Sequence, residues 1–502
     1  MVRLFDRSSD APIPSAVTLE PHDARQKVRE YLKSAIENKD DFKLHEIKSS
    51  DPLYKDQIYP FVIALVPAHN EEKRIHETLN SLITQSRPPD EIIVIADNCT
   101  DATKTIALSM GANVVQTHGN TDMKAGALNQ VLDTLLPLLD ETDSILVMDA
   151  DTVLSPNFIR AAMHTLFAPL KKGQKPVAGV GGIFLGLHEK WSLASQLQVN
   201  EYVRYQRRLS RRRGRALVLT GTGTMFNIRT LREVVLARKN GKFPNLGNGL
   251  SVYDTAALTE DNELTLCAKR LNYRVLSPKE CTVETAMMPT FKSLYKQRRR
   301  WQRGALENIY SHGIDRHTAP YLLRQMLTYS GVIFVALYLM SLGRAIWIGE
   351  ELPWTAPLWL GVFVLYIFEQ TFSVRKGGWR CIALTLSIIP EIFYNLFLNL
   401  VYVVSLEALI FGWSEVWGRM RDPNKSAVTE SIKSSNRGKR DIRLTPQGRI
   451  IEFAIEIIKN AIGIVILSMP FWNPQLAWNL IAIYVLIGAA ATIVRLIPVK
   501  TL

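Results

Sequence analysis

Cysteine is scarce in this 502-residue chain: Cys99, Cys267, Cys281 and Cys381 lie far apart and form no metal-ligand spacing. This excludes a disulfide-stapled scaffold and a zinc module, and leaves reduced thiols in a cytosolic compartment, Cys381 at a membrane edge. Residues 1–56 lack an apolar core, so they do not read as a secretory signal, and the amino terminus is expected in the cytosol. RNA-type aromatic patterns are missing too, so the net charge of +13 requires no nucleic-acid partner. Apolar runs of spanning length are absent from roughly the first three hundred residues, which are mixed as in a globular α/β domain, and recur after residue 321. Lys and Arg cluster beside those runs, the positive-inside pattern expected of contact with anionic lipid.

What is present is organised around Leu146-Val147-Met148-Asp149-Ala150-Asp151. An apolar strand runs into two carboxylates one residue apart, which alternation places on one edge. Two hard oxygen ligands suit Mg²⁺ or Mn²⁺, with coordination positions left for the phosphate oxygens of a nucleotide. Alone, Asp149 and Asp151 could equally cap a turn.

Other segments repeat the order strand, polar turn, helix. The apolar run 61–66 reads as a strand buried on both faces and ends in Pro67, Ala68, His69, Asn70, Glu71 and Glu72, ahead of a helix over 75–85. A strand over 91–96 ends at Asp97, and a short one over 113–116 leads to Lys124 at a helix start. Together these predict an open, mostly parallel α/β sheet with functional residues along its carboxyl edge. Asp97 could serve an Asx-turn or accept from a base, and Lys124 adds a cation where a helix dipole already favours an anion. The loop Thr220-Gly221-Thr222-Gly223 permits close backbone approach to a ligand. Thr259-Glu260-Asp261 opens an amphipathic helix, so Asp261 is either a cap or a base. In Gln297-Arg298-Arg299-Arg300-Trp301, Arg300 offers a fork for phosphate and Trp301 a flat apolar face, whereas Arg298, Arg299 and Arg303 read as charges facing lipid headgroups. The basic run 207–215 reads as a solvated or membrane-facing surface.

In their order these motifs resemble family 2 glycosyltransferases, nucleotide-sugar enzymes of GT-A fold, and Gln297, Arg300 and Trp301 match the Q-x-x-R-W signature of the processive membrane subgroup that makes cellulose, chitin, hyaluronan and poly-N-acetylglucosamine. The resemblance implies an inverting transfer from a UDP-sugar, UDP-N-acetylglucosamine or UDP-glucose favoured, to a growing β-linked glycan, coupled to export. It implies Asp261 as base beside Glu260 and Thr259. Donor binding falls to Pro67, Ala68, Asn70, Glu71, Asp97, Lys124, Asp149, Gln297 and Arg300, with Asp97, Ala68 and Glu71 at the uracil. Asp149 and Asp151 would hold Mg²⁺ or Mn²⁺, and Gly221, Thr222, Gly223 and Trp301 the acceptor. Trp417-Gly418-Arg419 resembles a gating segment over the active site. Two alternatives stand beside this reading: transfer of one sugar to a lipid carrier, and an inactive membrane transporter or lipid-binding protein.

The expected layout is a cytosolic segment over 1–60, a GT-A domain over 61–318, and an α-helical transmembrane region over 319–502. Residues 21–40 read as an amphipathic docking helix carrying Val28. Spans are expected over 321–347, 354–374, 453–472 and 477–498, giving about four to six crossings of a multi-pass protein with a cytosolic catalytic domain. The stretch 382–413 requires two crossings or an in-plane helix plus re-entry, because the basic loop 414–452 after it should be cytosolic. No helices are expected ahead of the catalytic domain and no barrel after the membrane region, so a homo-oligomer or partner subunit could complete a channel.

Overall fold

The computed structural model describes residues 60–187, 191–244, 247, 250–350, 357–410 and 468–496, with Gln26, Val28 and Glu30. Its core is a seven-stranded sheet in the order β3-β2-β1-β4-β8-β6-β9, built from β1 (Val62–Ala68), β2 (Glu91–Ala96), β3 (Asn113–Gln116), β4 (Ser144–Met148), β6 (Val177–Gly181), β8 (Gly223–Asn227) and β9 (Arg274–Leu276). Four ladders are parallel, and the two made by β8 are antiparallel. A second sheet has the order β5-β10-β7, from β5 (Thr152–Leu154), β7 (Ile183–Leu187) and β10 (Thr282–Ala286).

Strand β1 is apolar throughout because both faces are covered. Ile63 and Leu65 pack into one core cluster with Ile93, Ile95, Ile145 and Val147, while Val62, Ala64 and Val66 join Val94, Leu146 and Met148 in another. The near-continuous Val/Ile/Leu runs are the sequence of a central parallel strand. Pro67 fits this central strand for a positional reason. The ladder to β4 ends at Leu65, two residues before Pro67, whose register partner is Ile95 of β2.

Helices α1 (Ile75–Ile83), α2 (Thr103–Ser109), α3 (Met123–Leu135), α4 (Phe158–Leu166), α5 (Leu193–Arg211), α6 (Ile228–Lys239), α7 (Glu260–Arg270) and α8 (Phe291–His312) complete the α/β part. Val28 is fully buried in the core beneath this sheet while Gln26 and Glu30 are exposed, consistent with the expected docking face; the rest of 21–40 lies outside the described residues.

Beyond α8 come α9 (Ala319–Ile348), α10 (Pro357–Val374), α11 (Trp379–Leu386), α12 (Ile389–Ile410) and α13 (Pro474–Leu496). Among the described residues, Ala319–Ile348 and Ile389–Leu409 are long and apolar enough to cross a membrane. Gly349, left-handed at φ 71°, ends α9. The stretch 382–413 resolves into short α11 and long α12, separated where Ile388 takes φ 61°. That is a short helix followed by one long apolar helix; Pro390 sits in the first turn of α12, where a missing N–H costs nothing. Residues 411–467, which include the basic loop and its Trp417, Gly418 and Arg419, lie outside the described residues.

Candidate active site

The carboxyl edge of the large sheet gathers the polar turns. After β1, Asn70 takes φ 58°, a conformation asparagine tolerates, and its Oδ1 accepts from Thr100 N at 2.8 Å. Glu71 N donates to Thr103 Oγ1 at 2.8 Å, so the loops after β1 and β2 are laced together. Asp97 N donates to Ala68 O at 2.8 Å. Its Oδ1 accepts from Asn98, Thr117 and Asn120 at 3.0, 2.8 and 2.8 Å, which fixes the carboxylate and turns it from a local turn-former into an aimed acceptor.

Strand β4 stops at Met148, and Asp149-Ala150-Asp151 forms the turn into β5 of the second sheet. Thr78 Oγ1 on α1 pins this turn through Ala150 O at 2.8 Å. Because β8 runs antiparallel to β4, Met148 lies opposite Gly223, which delivers the 220–223 loop to the same place, and Asp149 N donates to Thr222 O at 3.2 Å. Lys124, in the first turn of α3, joins three motifs: its Nζ donates to Asp149 Oδ1 at 2.5 Å and to Gly221 O at 2.9 Å, and lies 3.7 Å from Glu260 Oε1. Burial opposes the lysine's charge, and Asp149 with Glu260 more than offsets it, so its pKa is raised.

Thr259, not Asp261, occupies the N-cap position of α7. Asp261 turns to the 220–223 loop instead, with Oδ2 accepting from Gly221 N at 2.9 Å and Oδ1 from Asn262 N at 2.8 Å. Burial, and then the neighbouring Glu260 carboxylate, push its pKa up to about 6. A Cβ on Gly221 would stand 3.3 Å from both Asp261 Oδ2 and Lys124 Nζ, so glycine is what lets the loop close on them. Lys124, Thr220, Gly221, Tyr253, Glu260 and Asp261 line one cavity.

A family model described as "Glycosyltransferase like family 2" matches residues 60–304. The chain carries a family 2 glycosyltransferase domain. Among curated proteins it is 29% identical to the "probable glycosyltransferase YdaM" of Bacillus subtilis, over 49% of this chain and 55% of that protein. To the poly-beta-1,6-N-acetyl-D-glucosamine synthase of Staphylococcus epidermidis it is 24% identical, over 55% of this chain and 64% of that one. A 60-residue stretch, 12% of this chain and 16% of the other, is 48% identical to the 4,4'-diaponeurosporenoate glycosyltransferase of Staphylococcus aureus. The chain therefore spans less than two thirds of these relatives' lengths. Among solved structures, the mannosyltransferase PcManGT from Pyrobaculum calidifontis aligns with a TM-score of 0.44 at 14% identity, over 78% of this chain and 96% of that one.

In the glycosyltransferase domain, α8 is tied to the Thr259-Glu260-Asp261 segment from behind. Gly304 approaches Thr259 so closely that a Cβ would stand 2.6 Å from its Oγ1, and Asn308 Nδ2 donates to Thr259 O and Oγ1, each at 3.1 Å. Sequence reasoning missed both residues, because nothing local links positions so distant in the chain. Gln297 and Arg300 are half-buried on the same helix, and Trp301 stacks on Phe184 of β7 with centroids 6.4 Å apart. The lipid-facing expectation fails for Arg298 and Arg303. Both are buried, paired with Glu201 at 2.9 Å and Glu307 at 2.8 Å, because a guanidinium inside a packed helix face needs a carboxylate partner. Arg207 likewise reaches Glu369 at 3.3 Å and lies 4.8 Å from the Phe372 ring centre, so it is not simply solvated.

The residues present fit a divalent cation. Burial, and then Asp149, raise the pKa of Asp151; burial, Asp151 and Asp149 carry Glu71 up to about 7. Such mutual repulsion among hard oxygen donors is what Mg²⁺ or Mn²⁺ would relieve. Glu263, Cys267 and His312 also lie within 4.8 Å of one another. There, however, Glu263 already accepts from Arg238 at 2.5 Å and from His312 at 3.0 Å, so that cluster is a buried ion pair packing α7 between α6 and α8.

Proposed function

We propose that this chain is an inverting, metal-dependent hexosyltransferase that takes a UDP-sugar in the cytosol and elongates a β-linked glycan at the membrane, with export along its helical region. One observation carries the reading: Lys124 bonds to Asp149 and Gly221, while Gly221 bonds to Asp261, so the diphosphate ligand and the base sit on two sides of one residue. UDP-N-acetylglucosamine and UDP-glucose are the favoured donors, and the poly-beta-1,6-N-acetyl-D-glucosamine synthase relative supports the former. In this reading residues 61–318 form the catalytic domain and 319–502 the membrane region.

Asp97, held through Oδ1, accepts from the uracil imide, with Pro67, Ala68, Asn70 and Glu71 around the base. Asp149 and Asp151 would hold Mg²⁺ or Mn²⁺, which when bound would neutralise charge on the departing diphosphate. Lys124, Gln297 and Arg300 supply further donors to that group. The acceptor hydroxyl oxygen bonds to the anomeric carbon as the bond from that carbon to the phosphate oxygen breaks, and the electron pair leaves with UDP. The hydroxyl proton passes to Asp261, whose pKa of about 6 keeps it ionised at neutral pH yet basic enough to serve. Gly221, Thr222, Gly223 and Trp301 shape the acceptor side. Thr222 Oγ1 and Gln297 Oε1 are buried without a hydrogen-bond partner among the described residues, and sugar hydroxyls would satisfy them. Trp417, Gly418 and Arg419 are proposed as a gate over this site.

A second reading, transfer of one sugar to a lipid acceptor, draws on the 60-residue likeness to the 4,4'-diaponeurosporenoate enzyme. UDP release from detergent-purified protein, with Mg²⁺ or Mn²⁺ and a panel of UDP-sugars, tests the proposal against Asp261→Asn. Release with one donor, lost in the variant and accompanied by long product, supports elongation. A single-sugar lipid product replaces it with the second reading, and no release with any donor overturns both.

A further inference from the structure

The first arginine of the Gln297-to-Trp301 segment, Arg298, has no role in the reaction described above, yet it is held on several sides at once. Arg298 is buried, and its Nη2 donates to Glu201 Oε2 at 2.9 Å. Its guanidinium lies 4.6 Å from the ring centre of Trp301, one helical turn on, and 5.8 Å from that of Tyr202. Those two indole and phenol rings are joined by a third: Phe184 stacks on Trp301 at 16° and on Tyr202 at 24°, with centroids 6.4 and 5.3 Å away. The cation thus closes a ring of three aromatics. Glu201 Oε2 also accepts from Tyr394 Oη at 2.6 Å, so one carboxylate oxygen joins α5, α8 and α12.

A planar cation over an indole restricts that ring's orientation, and a carboxylate that fixes the cation transmits the restriction. We propose that Arg298 and Glu201 are positioning residues that set the Trp301 ring for the acceptor sugar, with Tyr394 linking this setting to the seating of α12. The inference rests on the acceptor role proposed for Trp301. It predicts a defect in acceptor use and not in donor use, because these contacts join Trp301 to α5, β7 and α12 and none of them is with Asp149, Lys124 or Asp261.

The test uses full-length protein in detergent, the donor that gives UDP release, and an added β-linked pentasaccharide of the same sugar as acceptor probe. Arg298→Lys keeps the charge and loses the planar fork, and Glu201→Gln keeps the shape and loses the charge. Each is expected to raise the acceptor KM about tenfold while leaving donor KM and acceptor-free UDP release within about twofold of wild type. Combined with Trp301→Ala, Arg298→Lys should add little, because it acts through the ring that is already gone. Unchanged acceptor KM in folded variants, or equal shifts in donor and acceptor KM, overturns the positioning role and leaves a structural clamp. If Trp301→Ala alone leaves the acceptor KM unchanged, the parent reading of Trp301 fails and this inference falls with it. Should Arg298→Lys not fold, Glu201→Gln and Tyr394→Phe carry the same test, the latter with a smaller shift in the same direction.

Discussion

Asp261 was legible as a residue type in a motif, but its chemistry was not. Whether it caps α7 or points into a cavity depends on Gly221, forty residues away, and only the packed chain shows that Gly221 N holds Oδ2 at 2.9 Å. Asp261→Asn should lower UDP release roughly 10²- to 10⁴-fold with little change in folding, as expected for a lost general base. The pH profile has a definite sign: protonation removes the base, so kcat/KM should fall on the acid side of about pH 6. An acid limb that survives unchanged in a residually active Asp261 variant would assign the titration to another group. Chelation should abolish release and added Mn²⁺ should restore it, while Asp151→Asn should weaken the apparent Mn²⁺ affinity at least about tenfold. Arg298 shows the limit of residue-scale reading: inside a basic run it looks like a lipid-facing charge, and its partner Glu201 lies far back in the chain.

At the scale of elements, the strands were readable because burial on both faces leaves a continuous apolar run, and the polar turns after β1, β2 and β4 followed from where such strands must end. The backing of the site was not readable. Helix α8 supports α7 through Gly304 and Asn308, one turn apart and both facing Thr259. A side chain at position 304 must displace Thr259 or the helix. Gly304→Val is therefore expected to cost about 1–3 kcal/mol of stability, the usual penalty of overpacking, and to reduce kcat through the shifted Thr259-Glu260-Asp261 turn. Thermal unfolding and steady-state UDP release measured together check this; a stability loss with unchanged kcat would show that α8 only packs and does not set the turn. The break between α11 and α12 was equally hidden, since Ile388 in a left-handed conformation leaves no compositional mark.

Across the whole molecule, the change from mixed to apolar sequence near residue 321 located the helical region, but the intimacy of its contact with the catalytic part came only from structure. Phe291 at the start of α8 meets Phe393 and Phe397 of α12 edge-on at 5.2 and 5.4 Å, and Leu294 is fully buried beside Tyr394. Arg204 donates to both Glu391 oxygens at 2.9 and 3.0 Å, and Asn200 shares that carboxylate at 2.9 Å. Buried charges of this kind are costly once one partner is removed. A chain ending at residue 318 would strip α5 and α8 of these partners, exposing Phe291 and Leu294 and leaving Arg204 unpaired. Such a truncation should aggregate, or remain soluble only in detergent with a much reduced rate of UDP release, as measured by size-exclusion chromatography and the same release assay. Monodisperse, fully active protein without detergent would mean that the helices anchor the enzyme without shaping it, and the link from α12 through Glu201 to Trp301 would lose its physical basis.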